Sequence, residues 1–181
     1  MGFKSVLLIL LSSGFIFAET GVVVDCKISP VGKFQAKTKE VKGSVTLKNN
    51  EVQAEKIIVD LKSLTTEMPL RDDHMKNKYL EVSKFPSAEL IIGKGKEGKG
   101  EGKIKFRGIE KEIKGSYKLI NSNKELEAKF ELSLSEFKIT GIRYLGAGVK
   151  DIVNVTVIVP VVAAAGVTTQ TPPTAKPPVK K

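Results

Sequence analysis

The chain has 181 residues, with 30 Lys plus Arg, 20 Asp plus Glu, one Cys, one His and 41% hydrophobic residues. This composition supports one ordinary domain with a hydrophobic core and excludes an intrinsically disordered chain. One Cys and one His also exclude an internal disulfide framework and the Cys/His-rich metal sites.

The two ends of the chain differ in composition from the middle. Residues 1–18 predict a secretory signal peptide, because Lys4 precedes a mostly apolar run, residues 6–17, and the small residue Ala18. We therefore expect an exported, periplasmic protein. Residues 167–181 are rich in Pro, Thr and Lys and predict a flexible tail. One domain, residues 19–166, lies between these two segments.

The dominant hydrophobic period between residues 22 and 162 is two, which is typical of strands with one apolar face. About eight strands fit into this region. The rows whose apolar members we expect to face the interior contain Val45, Leu47, Leu126, Phe130, Leu132, Val155 and Val157. Turn residues such as Asn49-Asn50 and Arg107-Gly108 separate the rows.

Residues 66–80 break this alternation and predict a short helical insertion. Pro69 suits a first helical turn, and Asp72 and Asp73 lie close to the N-terminal end of the predicted helix. Many antiparallel strands with one helical excursion indicate an all-β barrel or sandwich. A barrel is favoured because the apolar rows are long and none resembles a protected edge strand.

Two sequence features suggest nucleotide or nucleic-acid binding, and neither is supported by its context. Residues 93–98 match G-x-G-x-x-G, but residues 103–107 alternate like a strand where a nucleotide fold needs a helix, so we predict a hairpin tip. The net charge of +10 comes from 27 lysines and only three arginines, scattered over predicted solvent faces. We expect no nucleic-acid partner, whereas weak attraction to an anionic membrane surface stays open.

One dense polar cluster, Arg71, Asp72, Asp73 and His74, is the candidate for catalysis. His74 with a neighbouring Asp has the chemistry of an acid–base pair. No Ser or Cys lies in a nucleophile motif such as G-x-S-x-G, and a catalytic zinc site normally needs two or three histidines. We favour a structural network at a barrel mouth and expect neither catalytic residues nor a metal.

An ordered set of motifs carries a family resemblance. The set comprises Asp60-Leu-Lys-Ser-Leu-Thr-Thr, Leu70-Arg-Asp-Asp-His-Met, Tyr79-Leu-Glu-Val, Lys84-Phe-Pro-Ser-Ala-Glu-Leu, Gly102-Lys-Ile-Lys-Phe-Arg-Gly and Leu145-Gly-Ala-Gly-Val-Lys-Asp. The chain resembles the YceI-like family over residues 20–162. Members are small exported bacterial proteins that hold a polyisoprenoid-type lipid inside a lipocalin-like barrel. The chain departs from many relatives at Asp25-Cys26-Lys27-Ile28, where they carry a His, and at Tyr79-Leu80, where they carry Phe-Phe.

The resemblance implies an eight-stranded antiparallel lipocalin-like barrel with a non-covalent isoprenoid lipid and no covalent cofactor. The helical insertion would form a rim or lid whose apolar contacts come from Leu64, Met68, Leu70, Met75, Leu80 and the neighbouring Phe85. Arg71, Asp72 and His74 are candidates for contact with a polar headgroup or for the mouth network. Two alternative functions stay open: a packed barrel that acts as a structural or stress module, and an enzyme that uses His74 with a neighbouring Asp. A homodimer is also left open.

Overall fold

Twelve strands and one short helical segment make up the computed structural model, which describes residues 20–144 and 146–163. The strands are β1 (Gly21–Ser29), β2 (Lys33–Thr38), β3 (Val41–Lys42), β4 (Val45–Lys48), β5 (Glu51–Asp60), β6 (Ser87–Lys96), β7 (Lys99–Phe106), β8 (Ile109–Ile120), β9 (Glu125–Ser133), β10 (Arg143–Tyr144), β11 (Ala147–Val149) and β12 (Ile152–Ala163). The predicted signal peptide and tail lie outside the described residues.

The helical segment lies inside the region where the sequence predicts an insertion. Helix α1 (Pro69–Asp73) begins with Pro69 and continues directly into a π-helical turn, His74–Tyr79. A 3₁₀ turn, Ser135–Phe137, follows β9. Among the described residues, no helix is long and apolar enough to cross a membrane.

Seven strands close a barrel, in the order β4-β5-β6-β7-β8-β9-β12. Strand β12 closes the ring because it pairs antiparallel with β9 and, over its last residues, parallel with β4. The all-β, lipocalin-like barrel is thereby confirmed, with seven strands in the closed ring instead of about eight. The ring has fewer strands because β1 and β2 lie outside it, and because β3 and β4, which both pair with β5, are one run that Gly43 interrupts with a φ of 120°.

Strands β1 and β2 lie beside the closed ring. Strand β1 pairs antiparallel with both β12 and β2, so Val24 lies opposite Val155 on one side and Ala36 on the other. The inward face of β12 is tightly packed, and Val153 and Val159 are only 2% and 1% exposed. The first and last described strands are therefore hydrogen-bonded to each other.

The glycine-rich stretch forms a hairpin, as predicted. Residues up to Lys96 belong to β6, residues from Lys99 belong to β7, and the turn consists of Glu97 and Gly98. Both turn residues have positive φ, 53° and 79°, which suits the right-handed twist of a two-residue hairpin. A strand follows the motif where a nucleotide-binding fold has a helix.

The two ends of the barrel are different. At the hairpin end lie the short turns that join β4 to β5, β6 to β7 and β8 to β9. At the helical end lie α1, the β1–β2 turn, the β7–β8 turn and the connection from β9 to β12. Phe137 of that connection is 1% exposed and packs on Phe106, with 5.1 Å between ring centroids. The long connections therefore cover part of the helical end.

Candidate ligand-binding cavity

The barrel encloses a cavity of about 600 Å³. Its wall consists almost entirely of apolar side chains, because residues of the period-two rows face inward from neighbouring strands. Ligand pockets of small molecules usually occupy roughly 300–1,000 Å³ and have mostly apolar walls with a few polar groups. The interior is thus hollow enough for one apolar molecule.

Ten of the thirteen apolar residues predicted from the sequence line this cavity. They are Val45, Leu64, Met68, Met75, Leu80, Leu126, Phe130, Leu132, Val155 and Val157. Six of them belong to strands, and the other four belong to the segment that leads into α1 or follows it. The structure therefore brings the strand rows and the helical insertion together around one space.

Three predicted residues lie outside the cavity. Leu47 faces inward but lies nearer the hairpin end, where it packs against the cluster around Val45. Leu70 is 55% exposed, since α1 is one turn long and this side chain points away from the barrel. Phe85 lies against Gly108 of the β7–β8 turn, where an added Cβ would be 3.2 Å from its ring.

Arg71 and His74 border the cavity at the helical end, together with the partly exposed Met68. The Arg71 side chain is held in place from two sides. Its Nε and Nη2 donate to the side-chain and main-chain oxygens of Thr66 at 2.9 and 3.2 Å, and its guanidinium lies 4.3 Å from the centroid of the Phe34 ring. A positive charge is therefore fixed beside the cavity mouth, the opening at the helical end.

Asp72, the third polar residue predicted at the mouth, does not border the cavity. Its carboxylate accepts hydrogen bonds of 2.6 Å from the Thr65 hydroxyl and from the main-chain N–H and the hydroxyl of Thr66. Partial burial raises the pKa of Asp72, but these hydrogen bonds and nearby Lys76 outweigh it, so the pKa lies below its ordinary value. Asp72 therefore anchors α1 to the preceding loop.

Several lining residues were not predicted. Gly93, Gly100, Gly102 and Gly115 face inward on β6, β7 and β8, and Tyr117 follows on β8. Because these glycines carry no side chain, the strand backbone borders the cavity directly. The outward-facing residues Lys94 and Glu101, which neighbour these glycines, therefore also line the cavity. The spacing of two between inward glycines was a readable signal for a thin wall.

Cys26 of β1 also lines the cavity and is buried. Burial, with a smaller contribution from Asp25, raises the pKa of the Cys26 thiol to about 11. A thiol with so little thiolate is a weak nucleophile and a weak metal ligand near neutral pH. Within the described part of the chain, no group of three or more His, Cys, Asp or Glu side chains is placed to hold a metal ion.

Residues 18–161 match the family model for the YceI-like domain. The chain belongs to the YceI-like family. No curated protein matches it.

Solved structures share the fold of this YceI-like chain at low sequence identity. BcnA of Burkholderia cenocepacia is 12% identical with a TM-score of 0.61, and the match covers 77% of this chain and 94% of BcnA. A polyisoprenoid binding domain from Saccharophagus degradans is 9% identical with a TM-score of 0.54 and coverages of 77% and 91%. The YCEI protein of Campylobacter jejuni is 15% identical with a TM-score of 0.53 and coverages of 87% and 97%. The barrel is thus the YceI-like fold.

Proposed function

We propose that this YceI-like protein is a non-catalytic, exported binding protein that holds one long isoprenoid lipid inside its barrel. The observation that carries the proposal is the apolar cavity of about 600 Å³, which is bordered at the helical end by Arg71 and the exposed Met68. The Saccharophagus degradans structure, with the same fold, is described as a polyisoprenoid binding domain, and this supports the same class of ligand here.

The size of the cavity suits a long chain. An apolar cavity of about 150 Å³ holds one benzene, so about 600 Å³ holds roughly four times as much carbon. Each buried methylene contributes about 0.8 kcal/mol, and about ten to twelve of them match micromolar affinity before the costs of ordering. A chain that fills the cavity therefore needs no strong polar anchor.

The polar residues at the mouth suit a headgroup that stays near solvent. Arg71 and His74 border the opening, while the rest of the wall is almost entirely apolar. A lipid that enters tail first places its polar end beside these two residues. The carboxylate of Asp72 is already bonded to Thr65 and Thr66, which argues against the enzyme that would use His74 with this Asp. A structural module with a packed barrel is likewise disfavoured by the hollow interior.

Export to the periplasm is part of the proposal and is supported by the composition of residues 1–18. Export and cleavage are measured directly by the mass of the protein recovered from the periplasm. We expect a mature chain that begins near Glu19. A full-length chain confined to the cytoplasm would refute export and leave the cavity argument intact.

The helical end has the surface of a site that meets a membrane. Val31, Leu70 and Met68 are 89%, 55% and 42% exposed there. Lys27 and Lys33 flank the β1–β2 turn that carries Val31, and Lys78 lies in the π-helical turn that follows α1. Exposed apolar side chains among lysines suit an anionic bilayer, from which an apolar ligand must come. We expect binding to anionic vesicles that weakens in the double variant Val31→Ser, Leu70→Ser. The control is Ile92→Ser, since Ile92 is as exposed as Leu70 but lies on the barrel wall.

Native mass spectrometry of the protein purified from its own compartment, followed by organic extraction, tests the ligand. We expect one apolar molecule per chain that is lost on denaturation. Ala128→Phe places a ring in the cavity and should abolish retention, whereas Glu131→Phe places the same ring outside on the same strand and should not. A ligand-free mass, with no uptake of added prenyl lipids, would overturn the proposal.

A further inference from the structure

The cavity ends before the barrel does. Tyr117 lines the cavity and packs against the cluster formed by Val45, Val52, Leu126 and other buried residues. Leu47, Leu119 and Val161 pack against the same cluster but do not line the cavity. All three lie toward the hairpin end of their strands. Val52 and Leu126, the strand partners of Leu47 and Leu119, are the last lining residues of β5 and β9 in this direction. Tyr117, the last lining residue of β8, therefore lies where the cavity ends.

The Tyr117 ring occupies space that two glycines leave free. Gly95 of β6 and Gly100 of β7 are paired across the two strands. A Cβ built on Gly95 would lie 2.5 Å from Cε1 of Tyr117, and one built on Gly100 would lie 3.7 Å from its Cδ1. The ring thus extends from β8 across β7 to reach β6.

The pattern of exposed glycines locates the end of the cavity. Gly93, Gly100, Gly102 and Gly115 line it, but Gly95 does not. Of the two glycines beside the Tyr117 ring, Gly95 lies closer to it than Gly100 does, so the ring covers Gly95. We refer to Tyr117 with Gly95 and Gly100 as the floor of the cavity.

We infer that the floor sets the longest apolar chain that this protein can enclose, with Tyr117 as the residue that determines the limit. The inference rests on the proposed function, because it concerns the ligand of the same cavity. A chain that enters at the mouth runs toward the hairpin end until it meets the Tyr117 ring. Any further length of the chain stays in water, so it is not buried and adds nothing to the affinity.

Two substitutions move the floor in opposite directions. Tyr117→Ala removes the ring, uncovers Gly95 and opens the space toward Leu47 and Leu119. Gly100→Val adds methyl groups where the Cβ itself makes only ordinary contacts of 3.6 and 3.7 Å, so the strand is kept and the cavity becomes shorter. Tyr117→Leu serves as a smaller truncation if the alanine variant does not fold. Phe85→Ala is the matched control, since it removes a ring that lies outside the cavity.

The test is a competition between chains of different length. The delipidated protein is incubated with an equimolar series of prenyl alcohols from farnesol to solanesol and, separately, with straight-chain fatty alcohols, and the retained species are read by native mass spectrometry. We expect affinity to rise with length and then level off. Tyr117→Ala should move that plateau to longer chains by about one prenyl unit, because the lost ring and one unit are similar in size. Gly100→Val should move it to shorter chains, and Phe85→Ala should leave it unchanged.

The possible outcomes separate this inference from the proposed function. A plateau at the same length in wild type, Tyr117→Ala and Gly100→Val would overturn the floor while leaving lipid binding in place. If no variant takes up prenyl alcohols, but Tyr117→Ala and Gly100→Val shift the plateau for fatty alcohols in the expected directions, the floor is supported and the isoprenoid ligand is overturned. Uptake of neither series by any variant would overturn both.

Discussion

Arg71 of α1 stacks on Phe34 of β2, with 4.3 Å between Cζ of the guanidinium and the centroid of the ring. Both residues line the cavity, and they come from two different segments of the helical end. A cation over an aromatic face is stabilising by electrostatic attraction to the ring. This contact therefore joins the helical segment to the barrel wall at the mouth.

The Arg71–Phe34 contact should be measurable as a coupling energy. In a double-mutant cycle with Arg71→Ala and Phe34→Leu, we expect the two losses of unfolding free energy to be non-additive by about 1 kcal/mol. Urea unfolding of the wild type, both single variants and the double variant measures it. The cycle of Arg143→Ala with Phe34→Leu is the control. Additive losses in the first cycle would show that the stacking contributes nothing.

Among the described ion-paired side chains, we expect Arg107 to contribute most to stability. It is 12% exposed, donates to the carbonyls of Phe137 and Lys138 at 3.1 and 2.8 Å, and forms an ion pair with Glu81. Arg107→Ala leaves these acceptors without their charged donor, and we expect the unfolding free energy to fall by about 3 kcal/mol. Urea unfolding measures this loss.

Lys96→Ala is the control for Arg107→Ala. Lys96 pairs with Glu51 at 2.9 Å, but the two side chains are 63% and 48% exposed. Solvent screens such a pair, so we expect a loss below about 1 kcal/mol. Equal losses in the two variants would contradict the anchoring role of Arg107.

Asp72 and Asp151 should make stability depend on acid pH. Hydrogen bonds from Ser133 and Ser135 hold the pKa of Asp151 below its ordinary value, and the pKa of Asp72 is also lowered. Since an unfolded Asp has a pKa of about 3.9, both ionised carboxylates favour the folded state above that pH. Their contribution is lost as the pH falls through the lower folded-state pKa values.

Asparagine variants test this pH dependence. We expect Asp72→Asn and Asp151→Asn to be less stable than wild type at neutral pH, and the difference to shrink below about pH 4, where the wild-type carboxylates take up protons. Urea midpoints across pH measure it, with Glu67→Gln as a control for the loss of one charge. A difference that stays constant down to the lowest pH would contradict the role of ionisation.

Cys26 should react slowly with thiol reagents in the folded protein. With a pKa of about 11, its thiolate fraction near pH 8 is about a hundredth of that of an ordinary thiol, and the side chain is buried. We expect labelling by iodoacetamide to accelerate steeply as the pH rises toward this pKa, and to become fast at any alkaline pH in urea. Fast labelling of the folded chain near pH 8 would show that Cys26 is accessible through the cavity as a thiolate.

The period-two pattern predicts which face a residue occupies, but not its position along the barrel axis. Val45 and Leu47 lie on the same face of β4, yet only Val45 borders the cavity. The difference depends on side chains from other strands, such as Val52 of β5, which pairs with Leu47 and itself lines the cavity. Contacts between distant strands decide this, and a single strand does not encode them.

Two other differences also have local causes. The helical segment, α1 with the π-helical turn, presents too few residues for a hydrophobic period, so spacing does not distinguish the partly buried Met75 of the turn from the exposed Leu70 of α1. For the glycines of β6 and β7, the sequence predicts a hairpin tip over residues 93–98, and the structure confirms a hairpin whose turn is Glu97-Gly98. Their second role, as the thin wall of the cavity, requires knowing that both strands face inward at alternate positions.

Strand β12 sits between β1, β9 and β4, so three neighbours lose a hydrogen-bonded partner without it. During synthesis, a chain that ends after β9 presents an open sheet whose two margins are unpaired and whose apolar interior is wet. Closure must wait for the last described strand, which brings together residues as far apart in the chain as Val24 and Val155. The nascent chain therefore has no enclosed interior before β12 is added, and the cavity exists only where the chain completes its folding.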